Sequence, residues 1–335
     1  MKKLTTLFIL CFTNVMLAQT TYSVDNKPGA PSDFDNLQTA IDTAASGDTL
    51  LVQGSPTSYG EAIITKQLTI IGAGYFLGQN PNTQSYQLPV STDIKFNLGS
   101  DNSSISGISG TVRMTEVSNI LVNYIIGRTY VIDSNNVNVS NSFLNGSSQN
   151  NGNFYGNYII GNCSNIIYKG NYIGTLISFS NGANAQMISL INNTLGSIGG
   201  NSIISFSEFK NNIVQSNVNI YFGYNLDDYS NVQNNILNAG ATGGLLNGNQ
   251  YNIDMSTVFI DSSDPNYTDD GKYILKAGSP AIGAGSGGID CGMFGGGYRL
   301  SGIPNIPNIY EFDVPDTGYT NDGGIPITIK VKSNN

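Results

Sequence analysis

Ser118-Asn119-Ile120-Leu121-Val122-Asn123-Tyr124-Ile125-Ile126-Gly127 is the stretch whose reading decides the fold. A short apolar run, Ile120-Leu121-Val122, is bounded by Asn on both sides, and a second run, Ile125-Ile126, follows almost at once. Strands this short cannot bury a core alone. They succeed only when stacked in register, so that each rung covers the apolar side chains of the one before.

The copies needed for stacking are present. Asn135-Asn136-Val137-Asn138-Val139 leads into Asn141-Ser142-Phe143-Leu144-Asn145, and Ser164-Asn165-Ile166-Ile167-Tyr168 leads into Asn171-Tyr172-Ile173-Gly174. Asn193-Thr194-Leu195-Gly196, Asn212-Ile213-Val214 and Asn235-Ile236-Leu237-Asn238 follow. Most copies stand roughly 18 to 23 residues apart, the interval of a solenoid. The longer gap from Asn141 to Asn171 holds an extra copy, Asn157-Tyr158-Ile159-Ile160-Gly161, which predicts a wider rung or a loop there. Asn at the turns tolerates the left-handed backbone and can bond to the Asn of the next rung through stacked amides. The expected fold is all-β: a right-handed parallel β-helix. Asn-Gly pairs at Asn145-Gly146, Asn151-Gly152, Asn181-Gly182 and Asn247-Gly248 are hairpin signals that suit a β-sandwich instead. A sandwich, however, does not repeat one unit this often.

Outward from the repeats, Phe34, Leu37, Ile41 and Ala44 recur at helical spacing after Ser32-Asp33-Phe34-Asp35, with Gly47 as a stop. This predicts a short N-terminal capping helix over 33–46. Residues 1–18 read as a signal peptide: Lys2-Lys3, a short apolar run, then Ala18 before Gln19. The β-helix is expected over 19–301. Residues 302–335 are expected to form a Pro-punctuated linker and a small C-terminal β cap or extension, with strand-like alternation at Tyr310-Glu311-Phe312-Asp313-Val314 and Ile325 to Lys332.

The chain has 14 Lys+Arg against 23 Asp+Glu, a net charge of −9 that falls by two more if Lys2 and Lys3 are removed with the leader. That balance argues against nucleic acid, which needs clustered basic residues, and disfavours polyanionic glycans unless a local basic patch or calcium bridges the contact. Only 11% of residues are charged, yet 19 Tyr and 14 Phe exclude a disordered composition. Beyond the leader no apolar stretch is long enough for a transmembrane helix, so a secreted or cell-surface protein is expected. Cys163 and Cys291 are read as separate buried thiols rather than a disulfide. The chain has no His to complete a two-cysteine metal site.

Two segments carry a resemblance. Leu37-Gln38-Thr39-Ala40-Ile41-Asp42, Ala45-Ser46-Gly47-Asp48-Thr49-Leu50, Tyr59-Gly60-Glu61 and Leu68-Thr69-Ile70-Ile71-Gly72-Ala73-Gly74 resemble the entry into pectin-lyase-like right-handed β-helix proteins. Tyr273-Ile274-Leu275-Lys276-Ala277-Gly278-Ser279-Pro280-Ala281-Ile282-Gly283-Ala284-Gly285 and Asp290-Cys291-Gly292-Met293-Phe294-Gly295-Gly296 look like the last rungs of secreted β-helix proteins of the Bacteroidota type. The resemblance implies the fold; it leaves activity open, because the superfamily includes lyases, glycoside hydrolases and esterases.

The chemistry those enzymes need is thinly represented. Arg113 with Glu116, or Arg128 with Asp133, would be the catalytic set of a lyase or hydrolase, but both pairs also read as ordinary surface ion pairs. Tyr124, Tyr158, Tyr168, Tyr172, Tyr221, Tyr224 and Tyr229 would make a sugar-binding platform if they face outward, and a stacked core if they face inward. Asp261, Asp264, Asp269 and Asp270 lie in a loop rich in oxygen ligands that would suit calcium, although Asx turns account for the same residues. No cofactor is firmly implied. The expected function is a non-catalytic β-helix that binds a polysaccharide or cell-surface glycan through a flat rung face. A polysaccharide lyase or glycoside hydrolase, and a structural or adhesive rod, are the alternatives.

Overall fold

Each rung contributes one short strand to each of two parallel sheets, and their alternation decides what faces in. In the first sheet Leu50, Ile70, Ile105, Val122, Val139, Tyr168, Leu190, Phe209 and Val232 are aligned in register from rung to rung. All are buried. Burying each such side chain contributes about 1.5–3 kcal/mol, which no single rung could collect without its neighbours. The computed structural model describes residues 19–145, 156–179, 187–200, 205–216, 230–238, 246–260, 267–315 and 325–334.

Among the described residues the first sheet has 10 strands and the second 11. The first runs from Thr21–Val24 through Ser118–Asn123, Asn135–Ser140 and Ser164–Lys169 to Val232–Gln233, and the second from Glu61–Ile64 through Asp93–Phe96, Ile108–Thr115, Ile126–Ile132 and Tyr172–Phe179 to Ile236–Leu237. Every pairing within both sheets is parallel. The fold is therefore a parallel β-helix. The rungs from Asn102 to Asn136 repeat after 17 residues. Later ones repeat after 22, 19 and 23. The wide step is 29 residues, and the extra strand Asn157–Ile160 inside it pairs with both Ile126–Ile132 and Tyr172–Phe179.

Among the described residues asparagine ladders run along the solenoid, one of them interior and one exposed. The interior one joins Ser142, Asn171, Asn193, Asn212, Asn235 and Asn249. The backbone N–H of each residue donates to Oδ1 of the next at 2.8–3.0 Å. The Nδ2 groups of Asn171, Asn193, Asn212 and Asn235 donate to that same Oδ1. Each also donates to a backbone carbonyl of the preceding rung: Val139, Tyr168, Leu190 and Phe209. The second ladder, Asn102–Asn119–Asn136–Asn165, is exposed and amide-to-amide. All four of its residues have φ between 52° and 62°, the left-handed conformation that Asn tolerates better than most residues.

The N-terminal helix is shorter than the sequence predicts. It spans Leu37–Thr43, and its N-cap is Asn36, whose Oδ1 accepts the Thr39 N–H at 2.9 Å. Asp33 is drawn away from capping because its carboxylate accepts the Ser23 N–H at 2.7 Å and the Ser23 hydroxyl at 2.8 Å. Phe34 bridges to Val24, which keeps 33–35 extended. Leu37, Ala40, Ile41 and Ala44 close that end of the core.

At the other end, Val258, Phe259, Ala281 and Cys291 cover Ile213 and Ile236. From there the chain runs back along the rungs: Gly292 N–H donates to Asn211 O at 2.9 Å, and Asn192 Nδ2 to Asp290 O at 2.9 Å. It meets the long excursion at 73–87, where Tyr75 N–H donates to Ser301 O. The tail forms an antiparallel hairpin of Asn308–Asp313 with Thr328–Lys332. Ser85 N–H donates to Ile309 O at 2.9 Å, so the hairpin is an extension beside the 73–87 excursion and does not lie over the last rung. Cys163 and Cys291 are free and buried. Among the described residues no helix is long and apolar enough to cross a membrane.

Candidate functional site

The outer face of the second sheet carries the charged residues that the interior cannot accept. The strand Ile126–Ile132 shows how it is built. Thr129 and Val131 point inward and are fully buried. Thr129 is held there because its N–H and hydroxyl both donate to Asn157 Oδ1, at 2.8 and 3.1 Å, while its hydroxyl also bonds Tyr168 OH at 2.9 Å. Alternation then puts Arg128 and Tyr130 outside.

Arg128 stands in register with Thr111. Beside this column lies a column of glycines, Gly110 and Gly127. A Cβ on Gly127 would come within 1.9 Å of Gly110 O, and one on Gly110 within 1.9 Å of Thr92 O. Their φ angles of 153° and 142° also suit glycine. The two glycines also line a cleft of about 450 Å³, together with Asp93, Ser109, Thr111, Ile126, Arg128 and Asn145. Asp93 is anchored in it, Oδ1 accepting the Thr111 N–H at 2.6 Å.

The neighbouring outward column reads Lys95, Arg113, Tyr130, Tyr158 and Ile177, one residue per strand. Lys95 Nζ is 2.7 Å from Glu61 Oε2. The Arg113 guanidinium lies 4.3 Å from the Tyr130 ring centroid, and Tyr130 stacks on Tyr158 at 5.0 Å and 16°. Burial pushes the Tyr158 phenol up, Tyr130 adds to the rise and the Arg128 guanidinium opposes it. Both faces of the Tyr130 ring are thus occupied from within the column.

The structure separates the residues that sequence reading had grouped. Arg113 packs on Tyr130 instead of engaging Glu116. Glu116 and Asp133 sit at exposed turns beyond the strand ends, with φ of 54° and 46°. Asp133 Oδ1 accepts the Asn162 N–H at 2.7 Å. Of the tyrosines, Tyr168 is wholly inside the core and Tyr124 is buried with its hydroxyl on Asn305. Tyr172 is stacked between Phe143 and Tyr273, at 4.5 and 4.3 Å. None of these three offers a free ring face. Tyr221, Tyr224 and Tyr229 lie outside the described residues, as do Asp261 and Asp264.

Asp269 pairs with Lys272 at 3.0 Å. Asp270 is buried and accepts from Tyr298 OH, Ser301 N–H and Thr268 Oγ1. Among the described residues no three His, Cys, Asp or Glu side chains gather as a metal site.

Asp93 lines the cleft, and no motif in the sequence marks it. Its neighbours are Thr111, 18 residues on, and Glu61, directly opposite it on the preceding strand. Only the rung register, interrupted by the 73–87 excursion, brings these together. No known protein family, curated protein or solved structure matches this chain.

Proposed function

We propose that this is an exported, non-catalytic β-helix that binds a glycan across the outer face of its second sheet, with the ligand seated in the Asp93–Arg128 cleft. The observation that carries the reading is the convergence of a guanidinium, a carboxylate, two hydroxyls and an amide beside two glycines: Arg128, Asp93, Ser109, Thr111 and Asn145. Vicinal sugar hydroxyls both donate and accept, and such a set meets them in both senses, with charge-assisted bonds at Arg128 and Asp93. The pairing of one cation with one anion in the cleft suits a neutral saccharide. The stacked column beside it favours recognition by hydrogen bonds over ring stacking.

A binding role fits better than hydrolysis because the cleft lining holds one carboxylate, whereas glycoside hydrolysis by paired acids uses two that flank the scissile bond. The second carboxylate nearby, Glu61, is engaged by Lys95. The resemblance to pectin-lyase-like proteins supports a carbohydrate ligand without supplying an activity.

The test is retardation of the chain in gels cast with plant, algal and bacterial polysaccharides, with and without calcium, followed by sizing of each polymer. Retardation by an intact polymer, reduced at least tenfold in Arg128→Ala, is the expected result. Shortening of a polymer would replace this reading with the enzymatic one and make Asp93 and Glu61 the first residues to substitute. No retardation by any polymer would favour the structural rod.

A further inference from the structure

Asn145 is an asparagine of the cleft that no ladder holds. Asn171, Asn193, Asn212 and Asn235 are buried, with backbone and side chain both bonded in the interior ladder. Asn145 is exposed, one residue beyond the strand Phe143–Leu144. Among the described residues no hydrogen bond holds its side chain or its peptide groups. Gly146 follows it in the chain. Glycine has no Cβ to screen its nitrogen, so that nitrogen can reach the carbonyl carbon of the preceding Asn side chain. Asn247-Gly248 is the same pair and is also exposed, but it is held. A φ of 56° and a ψ of 24° at Asn247 turn the Gly248 nitrogen away from the Asn247 side chain. The Asn234 N–H, donating to Asn247 O at 3.0 Å, fixes that peptide plane.

We propose that Asn145 is a self-modifying site, where loss of the side-chain amide converts the cleft from a binding to a non-binding form. The Gly146 nitrogen attacks Asn145 Cγ. The new N–Cγ bond forms, the Cγ–Nδ2 bond breaks, and ammonia leaves with the proton from Gly146. Water then opens the five-membered imide at either carbonyl. One opening leaves an aspartate, and the other leaves an isoaspartate whose main chain runs through the former side chain. Water is the only co-reactant. The consequence for the ligand rests on the glycan reading of the cleft. Phe143 pairs with Ile126, and Asn145 follows Phe143 by two residues as Arg128 follows Ile126. Both Asn145 and Arg128 line the cleft, so the new carboxylate arises on the strand next to the guanidinium. It competes for Arg128 through charge-assisted hydrogen bonds. The cleft then holds a second carboxylate beside Asp93. A neutral saccharide loses the amide donor of Asn145 and part of the Arg128 contact together.

The experiment is a peptide map of the full chain held for weeks in warm neutral buffer, with retardation in polysaccharide gels measured on the same samples. The Asn145 peptide should gain the mass of an amide-to-acid exchange and split into aspartyl and isoaspartyl forms. It should do so roughly tenfold or more ahead of Asn247, whose turn must first open. Gly146→Ala should slow the exchange at Asn145 and leave Asn247 unchanged. Retardation should fall in step with conversion. Fresh Asn145→Asp should begin at the reduced level while melting with the parent, because residue 145 lies outside the core. An Asn145 that keeps its amide, or that converts no faster than Asn247, would overturn the proposal, as would full retardation of the converted chain. Absence of retardation in the fresh parent would fault the glycan reading alone, and the map would still decide the modification.

Discussion

Two donors of Asn171 share a single acceptor on Asn193: the backbone N–H of Asn171 and its side-chain Nδ2 both donate to Asn193 Oδ1, at 3.0 and 3.1 Å. Asn193 Nδ2 in turn donates to Tyr168 O at 2.8 Å. The corner between the two sheets is thereby satisfied in the interior, where a backbone turn would otherwise leave buried polar groups unpaired. This explains why Asn, and not a larger polar residue, recurs at this corner: it spans one rung spacing with an acceptor and a donor in one plane.

Asn193→Ala should strand the Asn171 backbone N–H and one of the two Asn171 amide hydrogens, and remove the side-chain bond to the Tyr168 carbonyl. With each buried unsatisfied group costing about 1–3 kcal/mol, the expected loss is on the order of 3 kcal/mol or more, read from denaturant unfolding. Asn136→Gly removes an amide of the exposed ladder while keeping the backbone conformation, and should change stability by about 0.5 kcal/mol or less. Equal losses at the two sites would refute the distinction between the ladders.

Gly127→Ala tests the glycine lining of the cleft. Its Cβ would sit 1.9 Å from Gly110 O, so backbone must move, and both stability and polysaccharide retardation should fall. Gly29→Ala is the control for conformation alone, since its φ is 74° and nothing lies within 4 Å of the added carbon; it should cost about 1–2 kcal/mol. If Gly127→Ala retained full binding, the cleft would not be the ligand seat.

The solenoid itself was legible because its cause is local: Asn, Gly and short apolar runs repeat wherever a corner and a strand repeat. The Asn ladder was readable for the same reason. Helix placement was only partly so, because Asp33 serves equally well as a cap and as an acceptor for Ser23, and tertiary contact decides between them. The site was hardly legible. Arg113 and Glu116 are close in sequence and so suggested a pair, but on a β-helix the true neighbour of Arg113 is Tyr130, one rung on. Contacts such as Tyr75 with Tyr298, 223 residues apart, leave no periodic trace.

Stability should fall in alkali. Burial pushes the Cys291 thiol up to about 12 and raises the Cys163 thiol as well as the Tyr168, Tyr75 and Tyr298 phenols. Each is an acid that stays protonated in the folded chain after its unfolded counterpart has ionised. The unfolded state therefore binds fewer protons over that range, and stability declines as pH rises. The contribution is intact below the ordinary thiol value of 9.0 and drains away between there and about 12 for Cys291. Urea midpoints measured from pH 7 upward should be level at first and then fall. Cys291→Ala should flatten the first part of that fall, and an unchanged slope would contradict the assignment.

A clasp joins the 73–87 excursion to the returning segment at 268–302. Tyr75 OH donates to Tyr298 OH at 3.0 Å, and Tyr298 OH donates to Asp270 Oδ2 at 3.0 Å. The Asp270 carboxylate also accepts from Ser301 N–H at 2.8 Å and Thr268 Oγ1 at 2.8 Å, so all the groups around it present donors. Tyr298→Phe removes one link and leaves Tyr75 OH without its acceptor, a loss of about 1–3 kcal/mol. Asp270→Asn keeps the shape but turns an NH2 toward donors, and should cost more than Tyr298→Phe. Because the clasp joins the 73–87 excursion to 268–302 while the rungs are held by their own ladders, the damage should be local. Limited proteolysis should cut within 73–87 or 299–308 faster in both variants, in the same order, while the far-ultraviolet circular dichroism of the rungs is unchanged. Loss of the β signal together with faster cutting would instead mean that the clasp holds the solenoid itself.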